Sequence, residues 1–194
     1  MKKTKKSISA ILMESAIALA ILLTAACFVV YYGGFYESPV VLWCGIVAFV
    51  ILYQFGLRLL TGQINNRFNV DPMHPWFKTK GFEKPLYKAL KVKKWKKNVP
   101  TYNPELFVLA ERPLEDIAKS MAKVELDHWT NVVISLSTLL FPLLWGKFWL
   151  FFVVAVLCIL FDMQFIAIQR FNRPRVLSSV KKAAERRRNW TNNA

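Results

Sequence analysis

A chain of 194 residues that is 55% hydrophobic, with a mean hydropathy of +0.29, is too apolar for an ordinary soluble domain of its length. Its net charge of +15 would suit nucleic acid, but no nucleic-acid-binding module is present. The basic residues instead sit where membrane topology puts them, facing anionic headgroups or a phosphorylated ligand.

Four apolar segments approach the roughly 20 residues that a spanning helix needs: Ser9–Tyr32, Pro39–Leu60, Trp129–Trp145 and Phe148–Ile168. Only helices satisfy their backbone groups within a bilayer, so the fold class expected is an all-α integral membrane protein. Its four transmembrane helices flank a basic cytosolic segment between the second and the third. The divisions are a two-span hairpin (1–61), a basic interfacial segment (62–128), a second two-span hairpin (129–169) and a basic tail (170–194). The third span is short and is expected to continue a helix that begins before it.

Of the 27 Lys and Arg residues, four precede the first span, 13 lie in Gly62–His128 and eight follow from Gln169. The positive-inside rule then places both termini in the cytoplasm of a multi-pass protein of the cell membrane. Lys2, Lys3, Lys5 and Lys6 before an apolar run resemble a secretory signal, and Thr24-Ala25-Ala26-Cys27 faintly resembles a lipoprotein cleavage box. The apolar run continues through Tyr32, so an uncleaved anchor is expected. Glu14 is reminiscent of a type IV pilin, but no long polar head domain follows. Cys27, Cys44 and Cys158 all fall inside spans and read as small apolar residues. Neither a disulfide framework nor a metal site is expected.

In the basic segment, Gly81 is the only glycine between Gly62 and Gly146. That excludes the glycine-rich phosphate cradles, and no GxSxG elbow occurs. Trp76, Phe77, Phe82, Tyr87 and Trp95 are threaded among lysines, a pattern that adsorbs to headgroups. The sharper reading gives Lys93, Lys94 and Lys96 a phosphorylated donor such as coenzyme A.

The next helix opens at Pro113, with Glu115 and Asp116 at its positive end. Leu114, Ile117, Met121, Val124 and His128 form one apolar face. Glu115 with Lys119, and Lys123 with Asp127, are expected to pair on the other. Glu125 and His128 are neighbours at i,i+3, where a carboxylate holds one imidazole tautomer. A packed interfacial histidine is the plainer alternative. Beyond the fourth span, Arg170 and Arg173 share a face, and Pro174 limits how far that helix continues. A stop-transfer run explains the arginines but not Gln169 and Asn172, whose amides suit a polar ligand. Asp162 and Gln164 lie deeper and are expected to face other helices.

An apolar hairpin returns its ends to one membrane face, bringing Glu125–Trp129 beside Gln169–Arg175. In order along the chain stand Gly81-Phe82-Glu83, Val92-Lys93-Lys94-Trp95-Lys96, Glu125-Leu126-x-His128-Trp129 and Gln169-Arg170-Phe171-Asn172-Arg173-Pro174-Arg175. Together they resemble the glycosyl-4,4'-diaponeurosporenoate acyltransferases of staphyloxanthin-type carotenoid synthesis. The resemblance covers about Trp76 to Val176, and the chain departs from it at the N-terminus, with two clear spans rather than one. It implies esterification of a glucose hydroxyl on a glycosylated carotenoid by a fatty acyl group.

On that reading His128 is the general base and Glu125 its orienter, or the reverse if geometry demands. Arg170 and Arg173 bind donor phosphate or the oxyanion, and Gln169 and Asn172 position the acceptor, with Arg175 beside them. Lys93, Lys94, Trp95 and Lys96 bind the donor. The partners are membrane lipids, a hydrophobic glycosylated acceptor and a fatty acyl donor. No covalently bound cofactor is expected, and the donor is an acyl-coenzyme A. Two rival readings are a methyltransferase of the isoprenylcysteine type and a non-enzymatic membrane adaptor.

Overall fold

The computed structural model describes residues 7–99, 104–108 and 111–192, and the described residues form helices without strands. Four helical stretches are long and apolar enough to cross a membrane: Ile8–Tyr32, Pro39–Asn65, Leu114–Trp145 and Phe148–Thr191.

Helix α1 (Ile8–Tyr32) starts at Ser7, whose hydroxyl accepts from the Ala10 amide, satisfying one donor that a helix start leaves free. A turn at Gly33 and Gly34 leads to α2 (Pro39–Asn65), capped by Ser38 with proline in its first turn. The two helices approach closely at Gly45, where an added Cβ would meet the Phe28 ring at 2.7 Å.

A short 3-10 turn (Pro75–Phe77) and two small helices, α3 (Glu83–Ala89) and α4 (Val92–Trp95), follow. Helix α5 (Leu114–Ser137) then runs unbroken from the polar segment into the third span, as its expected short length required. A 3-10 turn and α6 (Pro142–Trp145) end in the Gly146-Lys147 reversal, where both residues have positive φ. The last helix, α7 (Phe148–Asn192), is 45 residues long.

Side-chain bonds fix the directions. Gln54 bonds Thr138 while Asn65 bonds Asp127, so α2 and α5 are antiparallel. His128 bonds Asp162 while Glu125 bonds Arg170, so α5 and α7 are antiparallel too. Helices α2 and α7 therefore run parallel, with α1 packed on α2. At the hairpin-turn end, Ile46, Val50 and Phe151 form a core against Phe28, Phe141 and Trp145. Many large apolar side chains, such as Leu12, Leu19, Val47 and Phe152, remain exposed, as lipid-facing residues of a spanning helix are.

Four local expectations are corrected. Pro174 does not end α7, which continues through it to Asn192. Proline lacks the N–H that would bond the carbonyl four residues back, and here Thr79 donates its hydroxyl to that Arg170 carbonyl at 3.4 Å. Lys123 and Asp127 do not pair: Lys123 donates to the Asn66 carbonyl and Asp127 accepts from Asn65. The end of α2, which extends past Leu60, draws both side chains toward itself. On the same helix Lys119 approaches Asp116 rather than bonding Glu115. Gln164 is exposed, because it lies on the face of α7 turned away from the buried Asp162.

Candidate active site

Two buried polar clusters lie along the α5–α7 seam. The first joins α5 and α7 to the segment preceding α5. The Arg170 guanidinium donates to Glu125 at 2.7 Å, to Glu83 at 2.6 Å and to the Trp76 carbonyl at 2.8 Å. Arg173 donates to the other Glu125 oxygen and to the Phe77 carbonyl, with its guanidinium over the Phe77 ring. Tyr87 donates to Glu83 at 2.7 Å. Burial, reinforced by that carboxylate, pushes the Tyr87 phenol well above its ordinary range, so it remains a donor. Glu125 is 0% and Arg173 1% exposed. Buried charges persist only when paired and hydrogen-bonded, and this cluster meets the condition. Its effect is to staple residues 76–87 onto the helix pair.

The second cluster sits eight residues back along α7, about 12 Å at the helical rise of ~1.5 Å per residue. Asp162, 0% exposed, lies 2.8 Å from His128 Nδ1 and 2.8 Å from Arg58, and accepts from Asn131 at 3.3 Å. Arg58 donates in turn to Gln54 and Ser135, and Gln54 donates to Thr138. The His128 ring stacks on Phe165 with centroids 4.3 Å apart. A carboxylate oxygen accepts, so Nδ1 is the donor in this contact. Nε2 is then the acceptor, and it has no hydrogen-bond partner among the described residues. This is the arrangement a general base needs: a fixed ring, a fixed tautomer and a free nitrogen.

The expected Glu125–His128 pair therefore does not form. Both Glu125 oxygens are taken by arginines, and the carboxylate on His128 belongs to Asp162 of the facing helix. Neighbouring positions on one helix face brought the two side chains near, but the stronger bidentate guanidinium contacts turned Glu125 the other way. Arg170 and Arg173 are likewise occupied by carboxylates and carbonyls, which leaves them poorly placed to clasp donor phosphate.

The remaining candidates divide. Lys96 donates to Asn172 at 2.5 Å and lies over the Phe171 ring, which Arg175 covers as well. Lys96, Asn172 and Arg175 are thus brought together. Lys93 and Lys94 project outward from α4, and Trp95 bonds the Leu90 carbonyl. Gln169 is buried on α7. Burial, and then the neighbouring Arg175 and Lys93, lower the pKa of Lys96.

Residues 72–182, more than half of the chain, match the glycosyl-4,4'-diaponeurosporenoate acyltransferase family, CrtO. The chain belongs to that family. No curated protein and no solved structure matches it. The matched stretch of this acyltransferase contains both members of the His128–Asp162 pair and all of the Glu83–Glu125–Arg170–Arg173 cluster. Gln54 and Arg58 lie before it. Sequence reasoning gave roles to neither Asp162 nor Arg58 nor Glu83. The signal was present: Asp162 is the only charge in Phe148–Ile168 and Arg58 the only one in Pro39–Leu60. An ionisable group alone in an apolar span needs a partner on another helix.

Proposed function

We propose that this membrane acyltransferase esterifies a hydroxyl of a glycosylated lipid, a glycosyl carotenoid by family, with a fatty acyl group at the cytosolic membrane interface. His128 is the general base and Asp162 the group that positions it. The observation that carries the reading is the buried Asp162 carboxylate on His128 Nδ1, within the family-matched stretch.

In the reaction, Nε2 of His128 takes the proton of the sugar hydroxyl as its oxygen attacks the acyl carbonyl carbon. A C–O bond forms, the C–S bond of an acyl-coenzyme A breaks, and the imidazolium returns the proton to the departing thiolate. The products are the ester and free coenzyme A. Glu125, Arg170 and Arg173 act at a distance, holding residues 76–87 over the site. Gln169 lies beside that hold.

Lys96, Asn172 and Arg175, with Lys93, Lys94 and Trp95 nearby, receive the donor's phosphates. Asn172 and Arg175 stand about 15–20 Å beyond Asp162 along α7, a separation suited to the long pantetheine arm between a thioester and its nucleotide. Both termini are cytoplasmic in this reading.

The test is lipidomics of matched membranes containing wild-type protein, His128→Ala or Asp162→Asn at equal protein level. Loss of one acylated glycolipid in both variants supports the assignment and names the acceptor. Wild-type levels of that lipid with His128→Ala remove His128 from the mechanism. Identical lipids in cells with and without the wild-type protein reject the transferase reading.

A further inference from the structure

Between the parallel helices α2 and α7 runs a lateral groove of about 410 Å³. Its walls are apolar along their length, formed by Val47, Val50 and Ile51 on one side and Val154, Leu157 and Phe161 on the other. The lining is apolar almost throughout, and Gln54 and Arg58 border one end of it. From Ile46 to Arg58 the α2 wall covers about 18 Å, and from Leu150 to Phe161 the α7 wall covers about 16 Å.

The polar end is chemically incomplete. Arg58 is 9% exposed in its side chain, and its Nη atoms are committed to Asp162, Gln54 and Ser135. Its Nε–H is buried without a partner among the described residues. A buried guanidinium donor left unmatched is costly, and the group that satisfies it is an oxygen acceptor. Asp162, which Arg58 holds, is the same carboxylate that holds His128.

We propose that this groove is the acyl-chain site, taking one linear fatty acyl chain along α2 and α7 with its carbonyl oxygen accepting from Arg58 Nε. The proposal rests on the transferase reading for its meaning but not for its detection. An extended chain advances roughly 1.3 Å per C–C bond of ~1.5 Å, so the groove accommodates about 14 carbons. A hydrocarbon tail without a carbonyl offers nothing to the Arg58 donor. Bulk lipid tails fill apolar clefts but carry no requirement for a head at this depth. The groove thus selects both length and a carbonyl terminus.

The experiment uses the full chain in lipid nanodiscs and a palmitoyl-coenzyme A analogue with a mid-chain diazirine. Photolabel is expected on peptides spanning 46–58 and 150–161, with labelling reduced about tenfold by excess palmitoyl-coenzyme A. Val50→Trp and Val154→Trp, which fill the groove without touching the polar clusters, are expected to lose label to a similar degree while α-helical content is retained. They also shift the acyl chains of the product toward shorter lengths.

Label distributed equally over lipid-facing Leu12 and Leu19 of α1, uncompeted, would mean bulk-lipid contact and overturn the proposal. Competition by an uncharged polyene but not by palmitoyl-coenzyme A would give the groove to the acceptor and overturn it too. Competed groove label in a protein that makes no acylated lipid leaves the acyl site standing and removes the transferase reading. Acylated lipid made by Val154→Trp with unchanged chain length and unchanged label leaves the transferase reading standing and removes the groove.

Discussion

Two carboxylates on facing helices have opposite fates here, and the difference is decided by what reaches each one. Glu125 is closed off by Arg170 and Arg173, whereas Asp162 is shared between Arg58 and an imidazole. Substituting them should separate structure from chemistry. Glu125→Ala leaves the buried Arg173 guanidinium without a carboxylate and Arg170 with Glu83 alone, and a loss of about 3–5 kcal/mol in stability is expected, read as a lowered thermal midpoint in detergent. Asp162→Asn frees the His128 tautomer, and kcat is expected to fall by on the order of 10²–10⁴-fold with KM little changed. Asp162→Glu should restore part of that loss, which a merely structural contact would not require. Lys96 provides a third test. Because its pKa is lowered, its charge is lost earlier than that of an ordinary lysine as pH rises. Coenzyme A affinity should therefore weaken on the alkaline side, and Lys96→Arg, with a permanent charge, should flatten the dependence. At this scale the sequence was only partly legible. It offered His128 with Glu125 beside it at i,i+3, and that adjacency pointed to the wrong carboxylate. Pairing across helices depends on register and rotation, which spacing along one helix does not contain.

Helices were more legible than their ends. Apolar length alone delimited four spans, and the three-four spacing from Leu114 to His128 anticipated the continuous α5. Pro174 was misread because a proline in a helix looks like a terminator until its environment is known. The unbonded Arg170 carbonyl is met by Thr79, a residue 91 positions away in the chain, so no local signal marks the rescue. A double-mutant cycle examines this directly. Thr79→Val should cost about 1 kcal/mol beside Pro174 and nearly nothing beside Pro174→Ala, whose restored N–H reaches the same carbonyl. Equal costs in both backgrounds would separate the hydroxyl from the proline. At Gly45, Gly45→Val should loosen α1 from α2 at a cost of about 1–3 kcal/mol, because its side chain collides with Phe28. Turnover should survive, since α1 contributes no side chain to either polar cluster among the described residues.

For the whole molecule, the antiparallel order of α2, α5 and α7 gathers both clusters toward the end of the bundle where residues 66–99 lie. In the orientation proposed from the distribution of Lys and Arg, that end faces the cytoplasm. Reporter fusions at the two termini should report a cytoplasmic location, and a reporter inserted after Gly146 the opposite side. A reporter at Ala194 found outside would reverse the orientation assigned to the site. Composition could state that charge bias, but not that α2 and α7 would lie side by side with a groove between them. The Arg58–Asp162 ion pair also imposes a timetable on biogenesis. The two residues are 104 positions apart, and ribosomes add ~5–20 residues per second, so Arg58 is synthesised on the order of 10 s before its counter-ion. During that interval its long aliphatic stem can carry the guanidinium to the headgroup boundary. Arrival of α7 then draws it inward, so the intramembrane site is completed only when the last span is inserted.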